Sequence, residues 1–189
     1  TWTANDGCGN STNRSQVVTV VDTTPPTIVC PGNLSVASAP GLCGSNVVYA
    51  LSAADNCGVV STNQLAGLPS GALFPVGVTT NTFRVTDASG NSNQCTFTVT
   101  VLDQQPPVIT CPPDLTTNTV PAGNAVTNIA LGTPLTADNC AVAGVSNNAP
   151  AIFREGRKFV RWTATEGSGN SSSCQQRVVV VGTCSGLLT

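Results

Sequence analysis

Hydrophobic and polar positions alternate strictly over several stretches of the chain. In Thr79-Thr-Asn-Thr-Phe-Arg-Val-Thr86, Phe83 and Val85 fall on one side and Thr82, Arg84 and Thr86 on the other. A period of two marks an extended strand with one buried face, because successive side chains of a strand point to opposite faces. Gln94-Cys-Thr-Phe-Thr-Val-Thr-Val101 alternates likewise, and Gln16–Val21 and Arg177–Val181 repeat it. Between the first two lies Asp87-Ala-Ser-Gly-Asn91, which reads as a tight turn because Gly and Asn tolerate positive φ. No stretch keeps a helical period for three turns. Short strands separated by turn signals predict an all-β chain of sandwich type.

The pattern recurs about every eighty residues. Asp22-Thr-Thr-Pro-Pro-Thr-Ile-Val-Cys-Pro31 returns as Asp103-Gln-Gln-Pro-Pro-Val-Ile-Thr-Cys-Pro112, and Asp55-Asn-Cys57 as Asp138-Asn-Cys140. Phe74-Pro-Val-Gly77 returns as Phe153-Arg-Glu-Gly156, and Asp87-Ala-Ser-Gly-Asn91 matches both Glu166-Gly-Ser-Gly-Asn170 and Asp6-Gly-Cys-Gly-Asn10. The predicted organisation is therefore the closing strands of an incomplete repeat (1–22), two full repeats (23–103 and 104–182) and a tail (183–189). Trp2, Phe83 and Trp162 fall at equivalent positions, so each repeat is expected to turn one large aromatic inward. Pro-Pro between repeats stiffens the chain, which favours a rod over a floppy string.

Composition narrows the function. Charged residues make up 8% of the chain, against about 25% in an ordinary soluble domain, so the surface is built from Ser, Thr, Asn and Gly. Seven basic and nine acidic side chains leave a net charge of −2, too few cations for a nucleic-acid partner. No apolar run approaches the roughly 18 residues of a membrane span. Without Met or a leader pattern, the chain is expected to be a processed or excised piece of something longer. Nine Cys with no His and no C-x-x-C pair remove the common zinc and thioredoxin-type readings and leave a disulfide framework in an oxidising, extracellular compartment. The absence of His also removes Ser-His-Asp and Cys-His catalysis. No catalytic residue and no cofactor is expected.

The motifs Pro-Pro-x-Ile-x-Cys-Pro, Gly41-Leu-Cys-Gly44, Asp55-Asn-Cys57, Gly71-Ala-Leu-Phe-Pro-Val-Gly77 and Asp87-Ala-Ser-Gly-Asn91 followed by Cys95 resemble the hyalin repeat (HYR) domain family. Residues 23–103 carry the whole pattern and 104–182 a looser one, lacking a Cys at the place of Cys43. The resemblance implies tandem immunoglobulin-like β-sandwiches, disulfide-stapled and extracellular, with roles in adhesion or matrix and no catalytic site. It also implies Cys30–Cys95 and Cys43–Cys57 in the first full repeat and Cys111–Cys174 in the second. Loops of those lengths contribute about 4 and about 3 kcal/mol in the chain-entropy model, large against the marginal stability of a small domain. Cys8, Cys140 and Cys184 remain. In related repeats the Asp-Asn-Cys thiol can also pair with a Cys in the late Asp-x-Cys-Gly-Asn turn, the place of Cys8. Either Cys140 pairs with Cys184 and Cys8 has lost its partner to truncation, or Cys8 crosses to Cys140 or Cys184 of a neighbouring chain.

Other candidates are weaker. Asp6, Asp55, Asp87 and Asp138 sit in repeat-defining turns, where Asp ordinarily bonds its own backbone. Calcium at the junctions through Asp22 or Asp103 is the functional alternative, although one Asp per junction is thin for an ion that takes six to eight oxygens. Sequons stand at Asn10, Asn13, Asn33 and Asn170; a chain this rich in Asn, Ser and Thr yields about that many by chance. Arg154, Arg157, Lys158, Arg161 and Arg177 concentrate positive charge in the last repeat, as a solvated strand face or as a contact for the more acidic repeat 23–103. Three uses suit such a chain. The leading one is a structural rod that self-associates head-to-tail into a fibre, with 1–22 completed by strands from a neighbour. An adhesion stalk for a protein or glycan ligand comes next, and an accessory arm of a secreted enzyme last.

Overall fold

The computed structural model describes residues 1–119 and 125–182, and among them every regular element is a strand. The described part divides into two compact units that do not follow the repeats. One comprises 1–31, 50–67 and 81–97; the other comprises 32–49, 68–80 and the chain from 98 onward.

In the first unit the strand Thr27–Val29 pairs antiparallel with Ser52–Ala54, and Val59–Ala66 pairs with the Thr82–Asp87 part of the strand Gly77–Asp87. The alternation read from the sequence places Phe83 and Val85 inside and Arg84 outside. Phe83 stacks on Phe97, centroids 6.4 Å apart and planes within 7°. Cys30–Cys95 ties the strand region after the first Pro-Pro link to the strand Ser92–Leu102.

In the second unit Leu34–Ala37 runs parallel to Val99–Leu102, and Gly44–Asn46 pairs with Leu73–Pro75 around the buried Phe74, which meets Tyr49 edge-on. The repeat that follows is a sandwich. Its larger sheet has the order Leu115–Asn118, Ser171–Val181, Gly156–Glu166, Val142–Asn147; the pairs Val108–Thr110 with Leu135–Ala137 and Ala125–Thr127 with Ile152–Arg154 complete it. Phe153, Val160, Trp162, Val178 and Val180 form the core, each burial removing about 1.5–3 kcal/mol of apolar exposure. Gln176, at the place of Phe97, is fully buried here. It replaces ring stacking with hydrogen bonds: Trp162 Nε1 donates to its Oε1 at 3.1 Å, and its Nε2 donates to the carbonyls of Pro113 and Leu131 at 2.7 and 2.9 Å. A buried amide so satisfied costs little, whereas an unsatisfied one is expensive. Cys111–Cys174 lies beside this core.

Two expectations for residues 1–22 are corrected. Trp2–Asn5 and Ser11–Arg14 form a hairpin, but Trp2 is 72% exposed rather than inward. Gln16–Val21 forms no strand. Val18 and Val20 stand at the places of the buried Val99 and Val101 yet are 75% and 92% exposed. Alternation makes a strand only where another strand takes its hydrogen bonds and a facing layer takes its apolar side, and the described residues supply neither here.

The cysteine pairing is corrected too. Cys43 is joined to Cys140, not to Cys57. Cys57 and Cys8 are free and exposed. Cys140 is therefore available neither to Cys184 nor to Cys8; Cys184 itself lies outside the described residues. The reason is geometric: a disulfide needs Cα atoms about 4.4–6.8 Å apart, and the Gly41–Gly44 turn meets the Asp138-Asn-Cys140 turn of the next repeat, with Cα atoms 4.6 Å apart.

Candidate functional site: the junction ahead of the second repeat

The feature that recurs with each repeat is a knot of polar side chains around the Asp that precedes Pro-Pro. Asp103 is 7% exposed. Its Oδ1 accepts from the Ser38 hydroxyl at 3.2 Å, the Gln105 amide at 3.1 Å and the Asn139 side chain at 3.2 Å. Its main-chain carbonyl accepts from Asn170 Nδ2 at 3.0 Å. Gln105 fastens the turn before Cys43: Oε1 accepts from the Gly41 amide at 2.8 Å, and Nε2 donates to Ser38 Oγ and Ala39 O, both at 2.9 Å. Asn139 also donates to Leu42 O at 3.0 Å. Cys43–Cys140 closes the same region covalently.

Local turn chemistry delivers these groups. Asp138 Oδ2 accepts from the Cys140 amide at 2.9 Å, the Asx turn expected of an Asp two residues before its donor. Glu166 bends its hairpin in the same manner, accepting from the Ser168 and Asn170 amides, each at 2.9 Å. Gly169 there has φ of 95°, and Gly90 and Gly9 have 89° at the matching places, a conformation that glycine adopts without strain. Asp87 and Asp6 make the same pairs of bonds with residues 89 and 91, and 8 and 10. The turn-forming role of these carboxylates and a place in the junction are thus compatible.

Carboxylate oxygens of Asp103, Asp138 and Glu166 lie within 4.8 Å of one another, and so do those of Asp22, Asp55 and Asp87. Glu166 is only 5% exposed, and Asp87 is buried. Among the described residues the ion pair is Arg177 with Asp114, and it involves no member of either triad. At such separations like charges repel one another. Amide donors offset part of this. The Ser168 amide in particular holds the Glu166 carboxyl below the usual carboxylate value, against the cost of burial. The Thr24 amide does the same for Asp22. Asp138 Oδ1 in one triad, Asn139 Oδ1 next to it in sequence, and Asp55 Oδ1 in the other triad are buried without a hydrogen-bond partner. Unpartnered hard oxygens amid carboxylates fit a cation such as Ca²⁺, whose ligands at 2.3–2.6 Å lie within about 5 Å of one another.

The remaining candidates fall elsewhere. Hydrogen bonding to the Asp22 carboxylate, then burial and nearby Asp55 and Asp87, push the Cys57 thiol above its usual value, the reverse of what a nucleophilic cysteine needs. Asn10, Asn13 and Asn33 are exposed. Asn170 spends its side-chain nitrogen, the atom a glycan would take, on Asp103 O and Glu166 Oε1. Arg154, Arg157, Lys158 and Arg161 are exposed. Sequence reasoning singled out Asp22 and Asp103 but missed Ser38, Gln105, Asn56 and Asn139. The two Asn stand in the repeated Asp-Asn-Cys motif, a signal that was present. Gln105 has Thr24 as its counterpart and Ser38 falls in no repeated motif, so no pattern marked them.

The HYR domain model matches residues 21–101 and 102–180. Hyalin of Strongylocentrotus purpuratus is 34% identical over 191 residues, spanning 96% of this chain and 16% of that protein. The Rattus norvegicus sushi, von Willebrand factor type A, EGF and pentraxin domain-containing protein 1 is 30% identical over 182 residues, spanning 92% of this chain and 5% of that one. The chain thus covers a minor part of these relatives. Among solved structures, mouse cadherin-23 EC22-24 superposes with a TM-score of 0.41 at 11% identity, over 84% of this chain and 67% of that one. Two consecutive matches to one family model, with three disulfides among the described residues as suits an extracellular protein, establish that the chain belongs to the HYR domain family.

Proposed function

We propose that the chain is a non-catalytic segment of an extracellular structural array, in which consecutive HYR repeats are locked end to end and the array extends into a surface or matrix fibre. The observation that carries this reading is the junction at Asp103. A disulfide and a partly buried hydrogen-bonded network join the turn Ala39–Gly44 to the repeat that follows, which is what a load-bearing linkage requires and a flexible spacer does not. Residues 16–21 support the extension to self-association: their exposed valines stand at core positions, and strands from a neighbouring repeat would cover them. Calcium belongs to the same proposal. The Asp103, Asp138 and Glu166 oxygens, with the buried free oxygens beside them, would hold it and stiffen the junction further.

Electron microscopy of the native material, non-reduced and with calcium or a chelator, tests this reading. Regular filaments support it, and their loss on chelation supports the cation. Dispersed short particles in both conditions refute the fibre and favour an adhesion stalk, for which the exposed Arg154, Arg157, Lys158 and Arg161 would suit an acidic ligand.

A further inference from the structure

The two Asp-Asn-Cys turns are built alike, yet only one has its cysteine bonded. In the second repeat the Cys140 amide donates to Asp138 Oδ2 at 2.9 Å, Asn139 Nδ2 reaches Cys140 Sγ at 3.6 Å and Asp103 Oδ1 at 3.2 Å, and Asn170 reaches Asp103 O at 3.0 Å. In the first repeat the Cys57 amide donates to Asp55 Oδ2 at 2.8 Å, Asn56 Nδ2 reaches Cys57 Sγ at 3.3 Å and Asp22 Oδ1 at 3.4 Å, and Asn91 reaches Asp22 O at 3.1 Å. Atom for atom the two half-junctions correspond. Cys140 is joined to the cysteine of Gly41-Leu-Cys-Gly44 in the repeat before it, whereas Cys57 is a free, exposed thiol. Residues 1–22 contain no Gly-x-Cys-Gly turn of that kind. Their one cysteine, Cys8, stands where the full repeats have Ser89 and Ser168.

We propose that Cys57 is one half of a second inter-repeat disulfide, the other half being the cysteine of a Gly-x-Cys-Gly turn on an HYR-type repeat placed ahead of Asp22. The proposal rests on the array reading and extends it, making the staple a device that each junction repeats. The occupied copy carries the inference: the same turn, with the same bonds to the same junction Asp, does hold such a partner eighty residues on. In forming the bond, two thiols give up two protons and two electrons, and the sulfurs join. The oxidant is a disulfide such as glutathione disulfide, which leaves as two thiols. The incoming turn would also bring the main-chain carbonyl that, in the occupied junction, Leu42 offers to Asn139.

The test is disulfide mapping of the natural secreted polypeptide, alkylated without reduction, digested and read by mass spectrometry. The expected result is the Cys57 peptide linked to one containing Gly-x-Cys-Gly, alongside Cys43–Cys140 in the same digest. An apparent mass unchanged by reduction places the partner in the same polypeptide; a mass that falls places it in a separate molecule. Either result supports the shared chemistry. Cys57 recovered mainly as alkylated thiol, or linked to Cys8, overturns the proposal and leaves Cys43–Cys140, hence the array reading, intact. Absence of Cys43–Cys140 as well would overturn both. Cys57→Ser in the same polypeptide provides a second measurement: one additional titratable thiol per chain is expected, and no additional thiol refutes the staple.

Discussion

Cutting the Cys43–Cys140 staple is the perturbation whose magnitude follows most directly from the structure. With Cys43→Ser and Cys140→Ser together, neither half of the bond is left as an unpaired thiol. In the chain-entropy model a closed loop of 97 residues is worth about 4.7 kcal/mol. If the second repeat unfolds while the first stays folded, the tether closes only the stretch from Asp103 to Cys140. The value is then still about 4 kcal/mol, because loop length enters as a logarithm. For a domain of this size each kcal/mol moves the melting temperature by about 4–8 °C, so the second repeat should melt roughly 20 °C lower. Trp162 is buried in that repeat, and the other of the two Trp, Trp2, is exposed. Tryptophan fluorescence in a Trp2→Phe background therefore reports the second repeat alone. The first repeat keeps Cys30–Cys95 and should change little. A fall below about 5 °C, with unaltered proteolysis at Gln104–Pro107, would show that the hydrogen-bonded junction holds by itself and that the disulfide is incidental.

Two further outcomes are expected. Gln176→Leu strips a partner from Trp162 Nε1 and from the carbonyls of Pro113 and Leu131; at about 1–3 kcal/mol for each buried group left unsatisfied, urea unfolding should show a loss of roughly 3–5 kcal/mol, and a loss under about 1 kcal/mol would contradict the account of this core. Acidification should open the first hairpin turn: Asp6 is held below the ordinary carboxylate value chiefly by the Asn10 side chain and the Asn10 and Cys8 amides. Since the folded value is the depressed one, the turn's contribution is fully present above the ordinary Asp value and is lost as pH falls through the lowered one. The ¹H–¹⁵N shifts of Cys8 and Asn10 should follow a midpoint below that of an unperturbed Asp, and a midpoint at the ordinary value would refute it.

The sequence by itself determined the fold class and the repeat. Period-two alternation specifies which face of Gly77–Asp87 and Ser171–Val181 is buried, since burial follows side-chain direction and direction follows local backbone. The Asp-x-x-Gly-Asn turn was equally legible, because its bonds span four residues. The pairing of Cys43 was not legible. Cys57 is fourteen residues away along the chain and Cys140 ninety-seven, and only the path of the backbone decides which sulfur is within reach. The clustering of Asp103, Asp138 and Glu166 is likewise a product of topology, as strands remote in sequence return their turns to one end of the repeat. Gln16–Val21 marks the same limit from the other side. Its pattern is that of a core strand, but a pattern states only which face would be buried, and a partner must exist in space before anything buries it.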